Sequence, residues 1–200
     1  MPFYQFHAPT KIIFNEGISK DFSQECELLG IQDLFLVTDK TLLDFGLIAP
    51  IVDGLHASGI RVVGQFSEVP SDSSVATVTS CAEAAKKVDA KSFLAIGGGS
   101  VIDTAKGANI LFTLGGNLKA DYSGAQTITQ KLSPLIAIPT TAGTGSEVTE
   151  AIVIFDEESQ TKISFVDSHL LPTLAVLDPE LTLKLPAKLT AATGLDAQHA

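Results

Sequence analysis

The stretch AIGGGSVIDTAKG, residues 95–107, sets the reading of the chain: an apolar run enters Gly97-Gly98-Gly99, and a helical pattern carrying Asp103 and Lys106 leaves it. A strand ending at Ile96 delivers its backbone into three residues without side chains. Ser100 is placed to cap the helix, whose first N–H groups and positive dipole end suit a pyrophosphate. The same glycines also suit a tight strand-to-helix turn with close packing, so the stretch by itself leaves both uses open. It matches neither common phosphate fingerprint. G-x-G-x-x-G fails because the sixth position from Gly97 is Ile102, and no G-K-S or G-K-T occurs.

Outward from this turn, apolar β-rich runs recur at 34–39, 61–66, 92–98, 134–141, 151–156, 162–167 and 173–178. Helical patterns occupy 19–30, 48–59, 73–88 and 100–112. The alternation predicts a Rossmann-like α/β fold, a largely parallel sheet flanked by helices on both faces. Segments 3–7 and 11–14, separated by Ala8-Pro9-Thr10, are expected to form an N-terminal antiparallel β-ribbon outside that sheet. AIVIFDEESQTKISFVD (151–167) predicts a hairpin turning at Glu157-Glu158-Ser159-Gln160. DPELTLKLP (178–186) reads as a boundary, with Pro186 placed to open a new helix. The main domain is therefore expected over 1–185, and residues 186–200 begin a second that is too short to stand alone, which predicts a truncated chain.

Composition narrows the function. Of 200 residues, 45% are hydrophobic and 18% charged, which is the balance of a folded globular domain. A formal net charge of −10 repels phosphate backbones and anionic lipid, so small ligands are expected rather than nucleic acid or a membrane surface. Neither a secretory leader pattern nor an apolar run of bilayer length occurs, and a soluble cytoplasmic protein is expected. Cys26 and Cys81 lack metal-type spacing and read as small buried hydrophobes. His7, His56 and His169 stand in hairpin, helix-end and loop contexts that read as structural or solvated.

A second loop points the same way as the first. IPTTAGTGSEVT (138–149) follows another strand, and Thr140, Thr141, Thr144 and Ser146 offer hydroxyl donors. In an open parallel sheet ligands bind outside the carboxyl ends of the strands, where both loops lie. Asp39 ends a third strand, where a carboxylate commonly holds a ribose hydroxyl, although it precedes Gly97 by 58 residues and so implies a strand order unlike the standard one.

GGGSVIDTAKG, PTTAGTGSEVT, DPELT and TAATGLDAQHA, in that order and spacing, resemble the N-terminal half of the iron-containing alcohol dehydrogenase family. The resemblance implies an NAD(P)-binding α/β domain followed by an all-helical metal domain, with the active site in the cleft between them. It implies that Gly97, Gly98, Gly99 and Ser100 contact the pyrophosphate of NAD. By the same resemblance Thr140, Thr141 and Thr144 line the adenine and phosphate side, Asp39 holds the adenosine ribose and Lys162 reaches the nicotinamide ribose. Asp103 would face the nicotinamide as the catalytic-site residue of this half. The family holds a divalent metal, iron and in some cases zinc, through an Asp and three His, the first two arriving as G-x-D-A-x-x-H. Here Asp196 and His199 stand in Gly194-Leu195-Asp196-Ala197-Gln198-His199, with the histidine one residue early. Positions i and i+3 still share a helical face.

The expected activity is hydride transfer from a primary alcohol or diol to NAD, giving the aldehyde, by a homodimer. A polyol dehydrogenase of the glycerol type on the same scaffold and a non-catalytic nucleotide-binding remnant are the alternatives. No G-x-S-x-G elbow or other nucleophile signature competes.

Overall fold

The structure, a computed structural model, describes residues 9–183 together with 191, 194 and 195. Six strands form one sheet: β1 (Lys11–Phe14), β2 (Asp33–Val37), β3 (Arg61–Phe66), β4 (Phe93–Gly97), β6 (Leu135–Pro139) and β9 (Leu174–Leu177). Their order is β1-β9-β6-β4-β2-β3, and every pairing is parallel. A smaller sheet is made of β5 (Gly124–Ala125), β8 (Thr161–Val166) and β7 (Ala151–Asp156).

Both faces of the main sheet are covered, which is why DLFLV, FLAIG and LIAIP are apolar at nearly every position rather than alternating. Successive side chains still point to opposite faces. Phe35, Val37, Phe93, Ala95 and Ala137 pack under α4 (Val75–Lys87) and α5 (Gly99–Thr113). Leu34, Leu36, Leu94, Ile96 and Ile136 pack with Cys26 of α1 (Ser23–Leu28) and Ile51 and Leu55 of α3 (Ala49–Ala57). Cys26 and Cys81 are fully buried within these cores, as their context predicts. Among the described residues there are also the short helices α2 (Lys40–Asp44), α6 (Leu118–Tyr122) and α7 (Pro179–Leu183).

β7 and β8 form the expected antiparallel hairpin, with Ile154 opposite Ile163. Its turn is tied by Asp156, which accepts from the Lys119 ammonium at 2.6 Å and the Ser159 hydroxyl at 2.6 Å; these bonds hold its carboxyl down to about 2.

Three expectations are corrected. Residues 11–14 lie in the main sheet, parallel to β9 and first in its order among the described residues, rather than outside it. The Asp178 carboxylate fixes this arrangement by accepting the Gly17 amide at 2.9 Å and the Ser19 amide at 3.1 Å, which ties the end of β9 to the chain leaving β1. The other expected ribbon strand, 3–7, lies outside the described residues. The helix expected over 19–30 is split: a single 3-10 turn at Ile18–Lys20, then a break in helical backbone at Asp21, then α1. Finally, Ser100 does not cap α5. Gly98 is the N-cap, with no side chain to contribute, and the Ser100 hydroxyl donates instead to the Ser71 carbonyl.

Candidate active site

Strand order explains how Asp39 reaches the glycine turn. From β2 the chain crosses to β3 on one side, then returns to β4 on the other, so β2 and β4 are neighbours at the point where the winding reverses. The crevice at that point is the preferred ligand position in an open α/β sheet. Thr38 and Ile96 lie next to each other there, joined by the Thr38 hydroxyl donating to the Ile96 carbonyl at 2.9 Å.

At the end of β4 the three glycines have different tasks. A Cβ on Gly97 would stand 2.6 Å from the side chain of Val101, so this position is bare because the helix folds back over the strand. Gly98 and Gly99 are bare because of the second loop: added Cβ atoms would stand 3.2 Å from Thr141 Oγ1 and 2.8 Å from Thr144 Cγ2. That loop is joined to the first by the Thr140 amide, which donates to the Gly97 carbonyl at 3.1 Å. The Val101 and Ile102 amides both donate to the Gly98 carbonyl at 3.1 Å, which leaves the amides of Gly99 and Ser100, residues that line the crevice between the loops, without an acceptor in the helix.

The crevice is a cleft of about 960 Å³, within the range of small-molecule and cofactor sites. Asp39, Gly98, Gly99, Ser100, Asp103, Thr140, Thr141, Thr144 and Lys162 all line it; Gly97 does not. Asp39 is the N-cap of α2, its Oδ1 accepting the Leu42 amide at 2.9 Å, so the cap uses one carboxylate oxygen. Asp103 stands one turn into α5. Its Oδ2 accepts the Val153 amide at 3.1 Å, whereas its Oδ1 is buried without a partner. Burial pushes this carboxyl above its usual range, opposed by the Val153 amide, the charge of Lys106 and the nearby Ser146 hydroxyl.

Lys106 is not the partner in a solvated pair that its spacing from Asp103 permits. It is 1% exposed, and its ammonium donates to the Thr149 carbonyl at 2.7 Å and the Ala151 carbonyl at 3.3 Å. Desolvation lowers it to about 8. Lys162, by contrast, is exposed at the cleft mouth and pairs with Asp72 at 2.9 Å.

Besides Thr41, Leu42 and Phe45 of α2, two lining segments escape the sequence motifs: Val69–Ser73 after β3, and Ala151–Val153 at the start of β7. The first carried a usable signal, because it follows a strand of the same parallel sheet at its carboxyl end, where the two loops also lie. The second is brought in by the Lys106 and Asp103 bonds, which no local pattern announces.

The donor set fits a dinucleotide: free amides at a helix start, threonine hydroxyls beside them, a carboxylate at a strand end, and an orphaned buried oxygen at Asp103. Among the described residues no group of three or more His, Cys, Asp or Glu could hold a metal ion. Asp196 and His199 lie outside the described residues. Among the described residues no helix is long and apolar enough to cross a membrane.

A family model described as iron-containing alcohol dehydrogenase matches residues 9–179. The 4-hydroxybutyrate dehydrogenase of Cupriavidus necator is 42% identical over 191 residues, covering 94% of this chain and 49% of that protein. A solved 1,3-propanediol oxidoreductase superposes with a TM-score of 0.91 at 33% identity, over 98% of this chain and 50% of its own. The sulfoacetaldehyde reductase of Bifidobacterium kashiwanohense, solved with NAD+, gives a TM-score of 0.90 at 32% identity, over 98% and 51%. The chain thus spans about half the length of the relatives it matches.

Proposed function

Because this chain belongs to the iron-containing alcohol dehydrogenase family, we propose that its cleft binds NAD(H) and that it serves as the dinucleotide-binding half, residues 1–185, of a dehydrogenase acting on a primary alcohol or diol. The observation that carries the proposal is the meeting of two loops at the switch point: glycines that leave the first amides of α5 free, against threonines that present hydroxyls to the same cleft. When bound, the nicotinamide supplies the hydride chemistry. The residues of this chain supply position. The amides at the start of α5 hold the pyrophosphate with the helix dipole behind them. Thr140, Thr141 and Thr144 flank it, and Asp39 accepts from the adenosine ribose through the oxygen its cap leaves free. Lys162 donates at the nicotinamide ribose. The orphaned Oδ1 of Asp103 faces the nicotinamide, where a carboxamide donor would satisfy it.

The reading places Asp196 and His199 among the ligands of a divalent metal, iron or zinc, on family grounds alone. Its working unit is a cytosolic homodimer, and Phe14 of β1, 70% exposed, offers an apolar contact for it. Calorimetric titration with NAD+ and NADP+ tests the nucleotide site: saturable binding at one site, tighter for NAD+, is expected. A chain that binds neither dinucleotide overturns the assignment.

A further inference from the structure

Three carboxylates, Asp39, Asp72 and Asp103, line the cleft, and Lys162 is the only cation among its described lining residues. A dinucleotide adds a doubly charged pyrophosphate to this surface, so the single ammonium matters more here than in a neutral site. It is already engaged: Lys162 Nζ lies 2.9 Å from Asp72 Oδ1.

Neither partner is loosely placed, although both side chains are exposed. On one side of Asp72, Ser71 accepts the Ser100 hydroxyl through its carbonyl. On the other, the Ser73 hydroxyl bonds Thr104 at 2.6 Å, and its carbonyl accepts the Phe155 amide at 2.8 Å. Phe155 stands directly opposite Lys162 in the β7/β8 ladder. The two charged groups are therefore brought together through one short chain of bonds, from the first turns of α5 through the 71–73 segment to the hairpin.

We propose that Asp72 is a counterweight at the cleft mouth: it holds Lys162 when no dinucleotide is bound and competes with the dinucleotide for it, so that the cofactor binds more weakly and leaves faster than the lysine alone would allow. The inference rests on the nucleotide-site reading above. An exposed pair of this kind couples weakly, so the expected change is about twofold to fivefold in affinity, and it should shrink as salt screens both charges.

The test is a cycle of wild type, Asp72→Asn, Lys162→Met and the double variant, titrated with NADH by fluorescence at low and high salt, with stopped-flow displacement giving the dissociation rate. Asp72→Asn is expected to tighten NADH binding about twofold to fivefold at low salt, mainly by slowing dissociation, and to have a much smaller effect in the Lys162→Met background. Unchanged or weakened binding in Asp72→Asn overturns the counterweight, as does equal tightening with and without Lys162, which would mean that bulk charge alone is felt. A wild type that binds no dinucleotide overturns the nucleotide site and the counterweight together. Binding that is unaffected by Asp72→Asn overturns the counterweight only.

Discussion

The turn after β4 has no side chain at Gly97, Gly98 or Gly99, whereas the loop after β6 carries hydroxyls at Thr140, Thr141 and Thr144, and the two lie against each other. Either composition alone would leave the site half built. Two glycine loops would offer amides with nothing to flank a bound phosphate, and two threonine loops could not approach closely enough. The glycines make room, and the threonines fill it with donors. The contrast continues within the first turn, where Gly97 is bare to admit Val101 of its own helix and Gly99 is bare to admit Thr144 of the other loop.

Gly99→Val breaks the comparison most completely. Its Cβ alone would come within 2.8 Å of Thr144 Cγ2, and the branch would fill the space in front of the first amides of α5. NAD affinity should fall by roughly a hundredfold or more, since overpacking of about 1–3 kcal/mol adds to lost charge-assisted bonds. The same titration on Gly97→Ala should show a loss of stability with binding largely retained in the folded fraction, because that Cβ meets the core-facing Val101 instead. If Gly97→Ala lost binding and Gly99→Val kept it, the division of labour between the two glycines would be reversed.

Lys106 extends the comparison to the helix that the loops share. Its buried ammonium holds to about 8 what is ordinarily 10.5. Between those values the unfolded chain binds more protons than the folded one, so the contribution of Lys106 to stability rises with pH across that window, by about 3 kcal/mol at most. Below pH 8 the full cost of its buried charge is present. Urea unfolding on either side of the window should show the stability gap between wild type and Lys106→Met moving in favour of the wild type as pH rises. Parallel curves would mean that Lys106 is not desolvated in solution.

How much of this was legible in the sequence depends on whether an interaction is local. The central strands were plain because burial on both faces leaves continuous apolar runs such as FLAIG. Nine of the ten expected cofactor residues line one cleft, since residues at the ends of parallel strands converge by topology. The strand order itself was hidden: nothing near Asp39 states that β4 will lie beside β2. The burial of Lys106 was hidden because its i,i+3 spacing from Asp103 equally suits a helix surface, whereas α5 is buried on nearly every side. The Ser71–Ser73 segment was missed because its part in the site comes from bonds to Ser100, Thr104 and Phe155, all distant in sequence.

Asp39 tests whether the glycine turn and its neighbouring strand act on one ligand. Its carboxylate would face the 2′-phosphate of NADP as a like charge. After screening, about 1–3 kcal/mol is expected, or roughly tenfold to a hundredfold in favour of NAD. Asp39→Gly should erase most of that ratio while weakening the α2 cap, whose loss is visible separately as reduced stability. An unchanged NAD to NADP ratio would remove Asp39 from the site.

The smallest effect belongs to Thr144, and it separates the two roles assigned to the second loop. Thr144→Val keeps the branched shape that packs against Gly99 and removes only the hydroxyl. That hydroxyl now accepts the Ser146 amide at 3.3 Å, a long bond on an exposed residue, so the fold should lose little. If the hydroxyl also meets a cofactor phosphate, its loss should weaken NAD binding by about threefold to tenfold, the worth of one hydrogen bond at a solvated rim. Thr144→Ser, which keeps the hydroxyl and drops the methyl, should bind almost as well as wild type. The reverse order, with valine tolerated and serine not, would make Thr144 a packing residue for Gly99 and leave the phosphate to the amides of α5 and the hydroxyls of Thr140 and Thr141.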